Sequence, residues 1–396
     1  MPLKISIVSS ILNHGKILQD SGSSLVLLSL LRSAHDDISV ITWKNTSCTG
    51  SNPFRSSKIY GVFESSHTLS IFKYFKLLRN LNSDFYIFNL MPTAYGNSSI
   101  ANFIGLIMPL FTAKTLKKNT LVIYHNSTFT NDPAKLGYSG FFNRVKYFVL
   151  RKTEKKLFTT VNTYFFIDRY TNTLLAKFPD SKVKTVRIPF FQVLDTLYLN
   201  SLEDEERVTV KSGPIPRILL FGSWGPQKNP REAMECLRKL RNQGLSFSST
   251  LAGGMNEHFP NLNYFYDKMF EDFADVIDKR LQYVPEKELI ELFTKTDLVI
   301  IPYNVPGGFS SVLALSIFFE RRVMISDFPE YREQALDYSR INFYKEDELY
   351  DKVKTFIMSE FLPNVFVEVK IKERIASMVK EFSKMVEEQL QKTEEK

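Results

Sequence analysis

Short apolar runs alternate along the chain with longer stretches of helical periodicity, the pattern of parallel α/β folds. In the first half the runs fall at Lys4 to Val8, Ile38 to Trp43, Asp84 to Leu90, Leu121 to His125, Thr163 to Ile167 and Val183 to Ile188. Most are continuous rather than alternating, which predicts strands covered on both faces. Helical patterns lie between them, one opening at Gly22-Ser23-Ser24 and another covering Phe142 to Leu157. Residues Tyr198 to Pro216 break the rhythm. There the acidic run Glu203-Asp204-Glu205-Glu206 and the punctuation Gly213-Pro214-Ile215-Pro216 predict an exposed linker.

A second series begins at once. Strands are predicted at Arg217 to Phe221, Ser249 to Ala252, Leu281 to Val284, Asp297 to Pro302 and Arg322 to Ser326. Helices are predicted after Asn229-Pro230, near Tyr264 to Asp275, from Glu286 to Lys295 and from about Ser310. Asn229 reads as an N-cap, with proline at the first helical position and Glu232 three residues after the cap. The stretch Val369 to Gln391 is amphipathic and helical in period. Two strand–helix series of similar size predict two Rossmann-like, doubly wound domains facing a cleft, at 1–197 and 217–367. Residues 198–216 form the predicted linker, and a helix at 368–396 crosses back to the first domain.

Composition narrows this picture. A chain of 396 residues is too long for one core. Its charge of +8 and pI of about 9.1 favour anionic partners such as nucleotide diphosphates, lipid phosphates or an anionic membrane surface. No zinc-ligand spacing, aromatic RNA-binding signature or block of basic residues is present, so nucleic acid is not a predicted partner. The only cysteines are Cys48 and Cys236, which excludes a disulfide framework and fits a reducing compartment. The amino end lacks a signal-peptide layout, and the longest apolar stretch, Ile100 to Phe111, is too short to span a bilayer. The expectation is a cytoplasmic protein, soluble or peripheral on the inner face of the membrane.

In open parallel sheets ligands bind beyond the carboxyl ends of strands, so the loops there carry the candidate chemistry. The first follows Phe221: Gly222 lets backbone approach a ligand, Ser223 follows, and Lys228 offers a cation for a diphosphate. The alternative is a plain connection with a solvated lysine. The second runs through Gly307, Gly308, Phe309, Ser310 and Ser311 into a helix start, where free amides and the helix dipole suit an anion. The alternative is ordinary N-capping. Gly253, after the strand ending at Ala252, either lines the same pocket or makes a turn. In the first half, His125 ends a strand and faces the cleft or serves structure. Gly22 and Ser23 belong to a loop that closes over an acceptor or diphosphate, or simply connects strand to helix. The basic, aromatic stretches Phe72 to Lys76 and Phe141 to Lys156 are either interfacial anchors for an anionic membrane or core aromatics with solvated lysines.

Taken in order, ILLFGSWGPQKNP, LAGG and YVPEKELIELFTKTDLVIIPYNVPGGFSSVLALSIFFERRVMISDFPEYRE resemble the donor domain of the family 4 retaining glycosyltransferases (glycosyl transferases group 1). The resemblance covers about residues 215 to 335, and the first half is similar in layout only. Lys228 matches the family's phosphate-pairing lysine, while Ser223 stands where the family carries arginine. Gly308 and Phe309 match its Gly-Phe turn, and Ser310 replaces the second glycine. Gly307 and Leu315 occupy the positions of its two glutamates, so that motif is degenerate here.

The resemblance implies a GT-B fold and transfer of a hexose-type sugar, with retention and without metal or cofactor. The donor is a nucleotide-sugar, and the acceptor is a glycan or a lipid-linked glycan. It casts Lys228 and His125 as catalytic, with Gly222, Ser223, Gly253 and the Gly307–Ser311 turn binding the donor. The missing glutamates keep a second reading open, a catalytically inactive GT-B-like partner subunit of another glycosyltransferase.

Overall fold

The structure, a computed structural model, describes residues 4–9, 37–43, 58–63, 70–90, 99–125, 127–130, 141–186, 208–211, 213–255, 263–282, 284–305, 308–336, 338–362 and 366–369, together with 373, 377, 380, 384 and 388. The chain divides into two compact units, Met1–Thr196 with Ile375–Lys396, and Leu197–Arg374.

The first unit carries a seven-stranded sheet. Its strands are β1 (Lys4–Ser9), β2 (Asp37–Trp43), β3 (Lys58–Phe63), β4 (Phe85–Leu90), β5 (Asn119–Tyr124), β6 (Asn162–Phe165) and β7 (Val183–Thr185). They lie in the order β3-β2-β1-β4-β5-β6-β7, every pair parallel. All six residues of β4 are buried, as a strand covered on both faces requires. Helices α1 (Ser70–Leu81), α2 (Ser99–Lys114), α3 (Phe141–Thr160) and α4 (Asp168–Lys177) provide that cover. The long apolar run is α2, which keeps Pro109 inside the helix, buries Leu106 and Met108, and sets Phe111 edge-on to Phe75 of α1. The helix predicted from Gly22 lies outside the described residues.

The second unit has a six-stranded parallel sheet in the order β11-β10-β9-β12-β13-β14. Its strands are β9 (Arg217–Phe221), β10 (Ser248–Ala252), β11 (Asp278–Arg280), β12 (Leu298–Ile301), β13 (Arg322–Ser326) and β14 (Ile341–Tyr344). The helices are α5 (Pro230–Asn242), α6 (Asn263–Asp272), α7 (Glu286–Lys295), α8 (Ser311–Phe318), α9 (Pro329–Ala335) and α10 (Leu349–Thr355). On α5 the buried Ala233, Met234, Leu237 and Leu240 recur at helical spacing and join Leu220 and Leu251 of the sheet in one core.

Three expectations need correction. A strand predicted at Leu281 to Val284 is instead the exposed edge strand β11, with Val284 buried beyond it. Within the predicted linker, β8 (Val208–Lys211) pairs antiparallel with β15 (Phe366–Val369), which ends where a helix was expected to begin. The Val-Thr-Val sequence of β8 and the Phe-Val-Glu-Val of β15 favour extended backbone, and pairing satisfies its amides. Asn229 makes no side-chain cap bond to α5. It sits in the left-handed region at φ 40°, and its side-chain Nδ2 donates to Glu232 Oε2 at 2.8 Å. Among the described residues no helix is long and apolar enough to cross a membrane.

Candidate functional site

The order of the second sheet reverses between β9 and β12, the place where open α/β sheets form a ligand crevice. These two strands are fastened at their amino ends. Asp297, buried just before β12, accepts from the Arg217 amide (2.9 Å) and from Arg217 Nε (3.1 Å), and its own amide donates to Arg217 O at 2.9 Å. Their ladder comprises Leu298 with Ile218 and Val299 with Leu219, whereas β9 stays paired with β10 through Phe221 and Ala252. The carboxyl ends of β9 and β12 are therefore not laddered to each other, and their loops leave on either side of that gap.

Backbone bonds lace the loop after β9 to its neighbours. The Gly222 amide donates to Ala252 O (3.2 Å), the Trp224 amide to Gly254 O (2.9 Å) and the Gly253 amide to Arg280 O (3.1 Å). Gly253 has φ +108°, and a Cβ there would fall 2.0 Å from the Gly222 carbonyl oxygen, so only glycine fits. The glycine after β9 and the glycine after β10 thus pack directly together. Trp224 is buried against Phe270 and anchors the loop in the core. Ser223 is exposed, and a single 3₁₀ turn at Pro226–Lys228 then carries the chain into α5.

Lys228 meets the loop after β12. The Asn304 amide donates to Gln227 O at 3.2 Å, and Lys228 Nζ lies 3.7 Å from the centroid of the Tyr303 ring. A cation held on an aromatic face is restrained without being neutralised. The buried Tyr303 hydroxyl makes no hydrogen bond among the described residues, and its ring packs edge-on against Tyr331 of α9.

Farther along this loop, Gly308 is buried with φ +91°. Ser310 caps α8: its hydroxyl accepts from the Leu313 amide at 3.2 Å and its carbonyl from the Ala314 amide at 3.0 Å. Its own amide donates to Gln334 Oε1 (2.8 Å), and Gln334 Nε2 returns a bond to Ser310 O (2.7 Å). Ser310 is spent on structure, and the first-turn amides that capping leaves open are those of the exposed Ser311 and the buried Val312. Leu315 is 1% exposed, part of a helix buried from Val312 to Phe318. Gly307 lies outside the described residues, as do Gly22 and Ser23.

In the first unit, His125 follows β5 and its amide donates to Leu90 O of β4 at 3.1 Å. Its Nε2 and Asn89 Oδ1 lie 2.7 Å apart, within hydrogen-bonding distance. Burial lowers the pKa of this half-buried ring to about 4, so it is uncharged at neutral pH. The segment after it is clamped by Glu154 of α3. This fully buried carboxylate accepts from the Tyr124 hydroxyl (2.7 Å), the Ser127 hydroxyl (3.1 Å), and the amide and hydroxyl of Thr128. Burial raises its pKa, and these donors oppose the rise.

Sequence reasoning missed Tyr303, Gln334 and Glu154. Tyr303 opens the predicted loop Tyr303 to Gly308, but its contact with Lys228 has no sequence signal; Gln334 and Glu154 sit in helical pattern with no local signal. Among the described residues no three His, Cys, Asp or Glu side chains come together as a metal site would require.

No sequence-family model matches the chain, and no curated protein matches it in sequence. Solved structures do match in fold. The chain is similar to HepE of Anabaena in complex with UDP and glucose, with TM-score 0.61 and 10% identity over 98% of this chain and 95% of that one. Sucrose-phosphate synthase from Thermosynechococcus elongatus gives TM-score 0.68 and 9% identity over 100% of both chains. WaaG, a glycosyltransferase involved in lipopolysaccharide biosynthesis, gives 0.58 and 12% over 96% and 94%. The fold is that of GT-B glycosyltransferases, two Rossmann-like doubly wound α/β domains.

Proposed function

We propose that this chain is a glycosyltransferase whose nucleotide-sugar donor docks its diphosphate at the switch point of the second sheet. The carrying observation is the Lys228 ammonium, held over Tyr303 where the loops after β9 and β12 meet. In sugar transfer the nucleoside diphosphate leaves with growing negative charge, and prearranged cations and amides lower the barrier by meeting it. Lys228 supplies the cation, and the open amides of Ser311 and Val312 supply donors at a helix start. Gly222 and Gly253 keep the floor of the loop pair free of side chains.

The finer reading follows the family resemblance: a hexosyl donor, retention of configuration, no metal or other cofactor, and a glycan or lipid-linked acceptor. HepE binds UDP and glucose, which makes UDP the first nucleotide to test. His125, uncharged and oriented by Asn89, serves as a hydrogen-bonding group toward donor or acceptor rather than as a cation. Action from the cytoplasm, at the inner face of the membrane, fits the basic charge.

A second reading is favoured by Leu315. A buried leucine stands at the position of the family's ribose-binding glutamate, as a chain that binds without turnover would allow. Thermal unfolding with UDP, GDP, ADP, dTDP and their sugars separates the readings. A ligand at a hundred times its dissociation constant adds about 2.7 kcal/mol of stability. A shift accompanied by slow donor hydrolysis supports the enzyme; a shift without turnover supports the partner subunit; no shift with any nucleotide removes the donor site altogether.

A further inference from the structure

Helix α3 of the first unit turns large apolar side chains to solvent: Val145 is 49% exposed, Phe148 60% and Val149 41%. Spacings of three and four put them on one face of the helix. The charged residues exposed along the same helix are Arg144, Lys146, Arg151, Lys152, Lys155 and Lys156. Its one carboxylate, Glu154, points inward and is consumed by the Tyr124, Ser127 and Thr128 donors. The outward face is thus an apolar ridge flanked by positive charge alone, with Lys152 Nζ 4.6 Å from the Phe148 ring centroid.

The charge extends to a second helix. Lys114, at the end of α2, lies against Lys156, and that contact together with the repulsion between the two ammonium groups holds Lys114 below the ordinary lysine pKa. Crowded like charges at a surface favour an anionic counterpart. The other basic, aromatic stretch behaves differently. In α1, Tyr74 is fully buried and the part-buried Phe75 packs on Phe111, while Lys73 and Lys76 are exposed. Exposed aromatic surface and basic residues coincide on α3.

We propose that α3 is a docking face for an anionic lipid surface, lying in the headgroup plane with Phe148, Val145 and Val149 inserted and its arginines and lysines on lipid phosphates. A convex ridge of apolar side chains between long cationic ones suits a soft interface whose charge is uniform. The inference is independent of the transfer reaction.

Flotation of the full chain with phosphatidylcholine vesicles, with and without phosphatidylglycerol, tests it. Binding is expected to the mixed vesicles alone and to weaken with added salt. Phe148→Ser is expected to cut partitioning roughly tenfold or more, and Lys152→Glu and Lys155→Glu to cut it about fivefold or more each. All three residues are exposed, so thermal unfolding should match that of the parent chain. Equal binding to neutral vesicles, or unchanged binding by Phe148→Ser, would overturn the proposal. So would a parent chain that self-associates and becomes monomeric on Phe148→Ser, because the ridge would then be a contact between copies.

Discussion

The loops after β9 and β12 leave the same sheet at the same end, one on each side of the gap, yet they treat their polar groups in opposite ways. The β9 loop keeps a charged side chain unneutralised: Lys228 makes no ion pair among the described residues and rests on an aromatic ring. In the β12 loop the Ser310 side chain is turned inward. Ser310 caps α8 and is locked to Gln334, and Leu315 joins the core. The comparison teaches that a ligand crevice can persist in the backbone of a fold while its side-chain chemistry gathers on one flank. Under the proposed function, binding would rest on one ammonium and a few amides rather than on paired carboxylates.

The comparison breaks most visibly at Lys228. Lys228→Ala is expected to lower turnover with the responding donor by about two to three orders of magnitude, since one cradle donor is worth about 2.7–4 kcal/mol in a barrier. A steady-state assay of donor hydrolysis reads this directly. Next comes Gly253, whose glycine is demanded by packing against Gly222. Gly253→Ala should cost about 2 kcal/mol or more of stability through strain and crowding, seen as a lower urea midpoint.

Tyr303 is predicted to position Lys228 through its ring. Tyr303→Leu should weaken nucleotide binding by about 0.5–2 kcal/mol, and Tyr303→Phe, which keeps the ring, should restore it. A purely structural tyrosine would not give that split in binding titrations. Ser310→Ala sharpens the contrast from the other flank: about 1 kcal/mol of stability is lost with the cap while nucleotide affinity stays as it was.

A further effect lies in the first unit and concerns pH. The unfolded histidine takes its proton near pH 6.5, whereas burial holds folded His125 at about 4. The unfolded chain therefore binds the proton first as pH falls. The stability associated with this group is complete above 6.5 and drains away toward 4. His125→Gln should flatten that part of the stability–pH curve relative to the parent chain.

Much of the fold was legible because buried parallel strands are continuous apolar runs. FYIFNL, NTLVIY, RILLF, LVII and RVMIS all announce themselves. The elements missed include β3, with six residues, and α1 and α4, with twelve and ten, and others that are short or marginal. The edge strand β11 reads Asp-Lys-Arg and carries no hydrophobic signal, β14 is four residues long, and α9 and α10 have seven residues each. Lys228 and the glycines were visible as loop chemistry. Their arrangement was not, because Tyr303 is remote from Lys228 in the chain and the demand for glycine at 253 comes from a neighbouring strand. The capping role of Ser310 was one of two open readings, and only the contact with Gln334 shows how fully its backbone is used.

Under the proposed function, Lys228 meets a pyrophosphate at the break in the second sheet. Calorimetric titration of the parent chain and Lys228→Ala with UDP and with uridine tests it most directly. Loss of a hydrogen bond to a charged group should weaken UDP binding by about tenfold to a hundredfold in the variant, with uridine unaffected. Equal UDP affinity in the two proteins, or an equal loss for UDP and uridine, would contradict it.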